Sequence, residues 1–122
     1  MGENKDYITY NYEKGSVNIS EDVISALAAT AATETEGVAG LYASSAKDIY
    51  EKLARKSISK GVKTKTEAGN AIIDIYIMIK FGNTINDVAK KLQDNIKNSV
   101  EPVTGLTVTA VNVHVCGVAF DK

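Results

Sequence analysis

The sequence predicts an α+β domain: two main helices packed on a four- to five-stranded, largely antiparallel sheet, in the order β-α-β-(α)-β-β-α-β. Three observations carry that expectation. Ile73, Ile75, Ile77 and Ile79 alternate strictly with other residues, the period of a strand with one buried face. Two stretches, Val23–Ala31 and Ile85–Val100, place apolar residues three and four apart, the period of an amphipathic helix. Gly and Asn punctuate the chain between these runs, where turns need them.

Residues 1–14 are polar and Tyr-rich, with weak strand character at Tyr7–Tyr12, and read as a frayed or peripheral segment ahead of a single domain over 15–120. Val17 and Ile19 alternate with polar neighbours as a short strand. Ser20 is a helix N-cap, and Glu21 and Asp22 place negative charge at the positive end of the helix dipole. Val23, Ile24, Leu27, Ala28 and Ala31 form the apolar stripe of a helix reaching about Thr33, whose small Ala side chains allow close approach to a neighbour.

Glu34–Gly37 ends this helix, and Val38–Tyr42 is a short strand. Over 43–60, Ala46, Ile49, Tyr50 and Leu53 have the spacing of a short, partly exposed basic helix, stopped by Gly61. Val62–Glu67 and the Ile73–Ile79 strand form a hairpin across Ala68-Gly69-Asn70. Thr84 with Asp87 approximates a capping box for the second helix, whose stripe is Ile85, Val88, Ala89, Leu92, Ile96 and Val100. Pro102 and Gly105 mark its exit. In the last strand, Leu106–Phe120, the apolar set shifts from even to odd positions, which implies a bulge near Thr109–Ala110 or a strand buried on both sides.

Composition bounds the function. Hydrophobic residues at 44% and charged residues at 24% are those of a folded globular chain, so disorder throughout is excluded. No stretch approaches the roughly 20 apolar residues that cross a bilayer, and the lone Cys116 has no intramolecular partner for a disulfide. The expectation is a cytoplasmic protein without direct membrane insertion. His114 is the only histidine and lies about 7 Å along the strand from Cys116, too few groups for a metal site or a nucleophilic centre. The acidic residues are scattered, with Asp74 isolated. No cofactor fingerprint occurs, and the reading is non-enzymatic with no cofactor.

The charge is uneven although the net is −1. Lys47, Lys52, Arg55, Lys56, Lys60, Lys63 and Lys65 form a basic strip, the candidate partner-binding site, and the rest of the chain is acidic. The alternative is an RNA-binding module using that 47–65 strip, and Gly37-Val38-Ala39-Gly40 has the spacing of a KH-type loop. A strand-like segment follows that loop where a KH module has a helix, so nucleic acid is the less favoured partner.

The segments GSVNISEDVISALAATAATETEGVAGLY, SKGVKTKT, IIDIYIMIKFG and TGLTVTAVNVHVCGVAF, with Gln93 and Val100-Glu101 on the second helix, resemble in order and spacing the alkaline shock (Gls-type) family over residues 15–120. The resemblance implies a cytoplasmic protein of Gram-positive-type bacteria, with no known catalytic centre, acting in the envelope or alkaline stress response. The mixed second face of the Ile73–Ile79 strand and the two-sided apolar character of Leu106–Phe120 offer surface for a partner, so the expectation is a protein-interaction or scaffold module and a homo-oligomer. The partner would be a small membrane-anchoring protein in some members and acetyl-CoA carboxylase in others.

Overall fold

The computed structural model describes residues 7–42 and 61–120. The helix expected within 43–60 lies outside the described residues, as do Lys47, Lys52, Arg55, Lys56 and Lys60 of the basic strip. The α+β prediction holds: among the described residues eight elements run β1 (Tyr7–Tyr12), β2 (Gly15–Ser20), α1 (Glu21–Thr33), β3 (Val38–Leu41), β4 (Val62–Glu67), β5 (Asn70–Lys80), α2 (Ile85–Thr104) and β6 (Thr107–Ala119). Tyr7–Tyr12 pairs along its whole length with β2 in an antiparallel hairpin. Ile8 of that hairpin packs against the core, and the Tyr10 hydroxyl donates to the Thr104 carbonyl at 2.7 Å.

β5 organises the main sheet. β6 runs parallel to it along one side, and β4 and β3 lie antiparallel along the other. β4 covers the first half of that side and β3 the second, so the two form one edge in line. They meet at Tyr76, whose N–H donates to Gly61 O at 2.7 Å and whose carbonyl accepts from Tyr42 N at 2.9 Å. Gly61 adopts φ 83°, and a Cβ there would come within 3.0 Å of the Tyr42 carbonyl, so this junction requires glycine. The parallel β5–β6 ladder arises because α2 carries the chain back across the sheet before β6 begins.

The pleat sends alternate β5 residues to opposite faces. Ala71, Ile73, Ile75, Ile77 and Ile79 are at most 1% exposed beneath the helices. Ile24, Ala28, Ala31 and Ala32 of α1 and Val88, Leu92, Ile96 and Val100 of α2 complete this core. Two residues assigned to helical stripes lie elsewhere: Val23 and Ile85 are exposed, each in the first turn of its helix, before the buried face begins. The helices are also joined by polar contact. Thr35 donates to the Ala31 carbonyl, and the Asn95 amide donates to Thr35 Oγ1 at 2.9 Å. Gly37 sits against α2 so closely that a Cβ would meet Val88 Cγ2 at 2.6 Å.

The helix ends follow the caps with two corrections. Ser20 Oγ accepts from Asp22 N at 3.0 Å as expected. Thr84 makes no side-chain cap, so the capping box does not form, although Asp87 still places its charge in the first turn. Pro102 lies inside α2 rather than beyond it. The helix continues to Thr104 and stops at Gly105, whose φ of 80° is left-handed. The expected bulge is present: Ala71 pairs with Val108 and Ile72 with Ala110, leaving Thr109 as the extra residue. A second bulge inserts Cys116 between Val115 and Gly117.

Candidate interaction surface

Both helices lie on one side of the sheet. No described element covers the other side, formed by Ile72, Asp74, Tyr76 and Met78 of β5 and their register partners. On β4, Lys65 stands opposite Ile72 and Lys63 opposite Asp74. On β6, Asn112 stands opposite Asp74 and His114 opposite Tyr76. These pairings result from strand register, and they bring together residues 38 and 40 positions apart.

The centre of this face is a hydrogen-bonded group. Asp74 Oδ1 accepts from His114 Nε2–H at 3.1 Å and from the Asn112 amide at 3.1 Å. The Tyr76 and His114 rings stack with centroids 4.5 Å apart and planes 15° from parallel. The His114 hydrogen bond, the Asn112 amide and the positive charges of His114 and Lys63 hold the Asp74 carboxyl below its ordinary value, against an opposing effect of partial burial. Asp74, isolated in the sequence, is not isolated in the fold. It anchors two residues of β6 to β5.

Cys116 and His114 are not a reactive pair. The bulge makes Cys116 the inserted residue, and its exposed thiol points to the His114 carbonyl at 3.7 Å, while the imidazole faces Asp74. Among the described residues no group of three or more His, Cys, Asp or Glu is placed to hold a metal ion. Of the seven cations in the predicted strip, Lys63 and Lys65 fall on the described part and both project onto the uncovered face. No helix among the described residues is long and apolar enough to cross a membrane.

Fold and surface together define a two-layer α+β domain whose sheet presents a mixed aromatic, polar and basic face. Its sequence places it more narrowly. The chain belongs to the alkaline shock protein 23 family, described by its cell envelope-related function, whose model matches residues 9–120. It is 34% identical over 107 residues to the protein YqhY of Bacillus subtilis (strain 168), covering 88% of this chain and 79% of that one. It is 36% identical over 110 residues to the protein Spy1614 of Streptococcus pyogenes serotype M6, covering 88% and 91%. Among solved structures, MamM-CTD 215-293 aligns with a TM-score of 0.49 at 12% identity, covering 80% of this chain and 98% of that one.

Proposed function

We propose that this domain is a non-enzymatic protein-interaction or scaffold module of the envelope or alkaline stress response. It acts in the cytoplasm, self-associates, and reaches the membrane through a partner. The observation that carries this reading is the sheet face left uncovered among the described residues, where half-buried Ile72, Tyr76 and Met78 lie beside Lys63 and Lys65. Apolar area rimmed by charge is the usual composition of a protein-binding patch. The family's envelope-related function and the resemblance set out above make a small membrane-anchoring protein or acetyl-CoA carboxylase the partners to test.

RNA binding is less well supported. Tyr76 and His114 each give one ring face to the other, and Asp74 sets negative charge between Lys63 and His114, where it repels phosphate.

The test is affinity capture from separated membrane and cytosolic fractions, comparing the wild-type chain with a Lys63→Glu/Lys65→Glu variant whose fold is verified by circular dichroism. The expected result is one reproducible protein partner whose recovery falls at least about tenfold in the variant. Equal recovery by both chains would move the interface off this face. Capture of RNA alone, lost on raising salt, would replace the reading with the nucleic-acid one.

A further inference from the structure

Among the described residues β6 pairs with β5 alone, so one backbone edge of this 13-residue strand is without a partner strand. Edge strands are ordinarily blunted by charged residues, by Pro, by bulges or by shortness. Thr107–Ala119 contains no Lys, Arg, Asp, Glu or Pro. Its bulges at Thr109 and Cys116, with Glu101 Oε2 taking the Val108 N–H at 2.8 Å, leave Ala110–Val115 as one regular stretch between them.

The direction of the backbone groups follows from their partners. Thr107 N donates to Gly69 O and Ala119 O accepts from Phe81 N, both on the β5 side. The Val111 carbonyl is met instead by the Gln93 amide from α2 at 3.0 Å. With each bulge shifting the alternation by one, the amides of Ala110, Asn112 and His114 face β5, and those of Val111, Val113 and Val115 face the open edge.

We propose that this edge pairs antiparallel with the β6 edge of a second copy, about a two-fold axis through Val113. The proposal rests on the protein-interaction reading above and names one partner for it. An antiparallel pair with two-fold symmetry keeps both helix layers on one side, so inward residues must oppose inward residues. Centred on Val113, the pairing sets Val111 against the partner's Val115 and Val113 against the partner's Val113. On the outer face it sets Asn112 against the partner's His114.

The absence of charge along this edge favours a second copy as the occupant. Val111, Val113 and Val115 are half-buried, whereas their β5 neighbours Ile73, Ile75 and Ile77 are 0% exposed. A strand bearing Lys or Glu would bring charge against those valines. The chain's own β6 brings only valines, and on the outer face an amide against an imidazole. The Val111 carbonyl keeps a second lone pair beside the Gln93 bond for the partner's Val115 N–H.

Sedimentation and cysteine cross-linking of the full chain test this. Residues directly opposite in a bonded antiparallel pair have Cα atoms about 5.5 Å apart, within disulfide reach. Val113→Cys, in a Cys116→Ser background, should therefore give a reducible covalent dimer under mild oxidation. Thr107→Cys lies six residues from the axis, about 40 Å from its copy, and should not. Val113→Pro removes an N–H facing the open edge, and with its circular dichroism unchanged it should raise the dimer dissociation constant at least about tenfold. A wild-type dimer with no Val113→Cys cross-link and unaltered association of Val113→Pro would overturn the β6 edge while leaving self-association standing. A strict monomer at high concentration would overturn both.

Discussion

Asp74 accepts from two donors on the neighbouring strand, and protonation would forfeit both. Its folded pKa is depressed, so the stability it contributes is fully present above the unfolded carboxylate value of about 3.9 and is lost as pH falls through the lower folded value. Partial exposure to solvent keeps the effect small. In urea unfolding at pH 6 and pH 3, wild-type protein should lose more stability on acidification than Asp74→Ala; equal losses would mean the cluster contributes nothing. Nothing near Asp74 in sequence signals this role, because both partners come from β6 and reach it only through the β5–β6 register. The two lysines of the basic strip that do share its face were legible in the sequence as charges, but not as its neighbours.

The hairpin between β4 and β5 turns on Ala68 and Gly69, with φ of 52° and 83°. Two positive φ values in a two-residue loop make a type I′ turn, which Asn-Gly fits and Ala-Gly strains. Ala68→Asn should therefore raise stability by about 0.5–1 kcal/mol, since left-handed geometry costs a Cβ residue roughly 1–2 kcal/mol and Asn recovers part of it. Thermal melts of the two chains check this, and an unchanged or lower midpoint would count against the turn geometry. Local pattern was legible wherever an element buries one face: the β5 isoleucines, the α2 stripe and the Thr109 bulge all follow from side-chain period. It was not legible where geometry decided. Pro102 stays inside α2 although it cannot bond the carbonyl four residues back, because Val100 and Thr104 on either side of it are buried, and the missing Thr84 cap depends on a hydroxyl rotamer.

At the scale of the molecule, β3 and β4 share one side of β5 and meet at Tyr76, so Tyr42 and Gly61 are adjacent although 18 residues separate them in sequence. Replacing residues 43–60 with a short Gly-rich link should preserve the β3–β5–β4 arrangement, with loop-closure entropy changing little. The same replacement removes Lys47, Lys52, Arg55, Lys56 and Lys60 and leaves Lys63 and Lys65. Retained circular dichroism with lost partner capture would assign recognition to the removed cations. Retained capture would assign it to the described sheet face, and a collapsed fold would refute the adjacency.

That divided edge also orders events in time. β4 reaches β5 through a two-residue turn, a microsecond closure, whereas β3 and β6 must each find β5 across a far longer stretch of chain. Helix α1 enters from β2 and leaves into β3, so its Ala-rich face is held at both ends only when that four-residue strand has docked. The Ala-rich face of α1 is thus closed by a non-local pairing, after the local hairpin on the same side of β5 has formed.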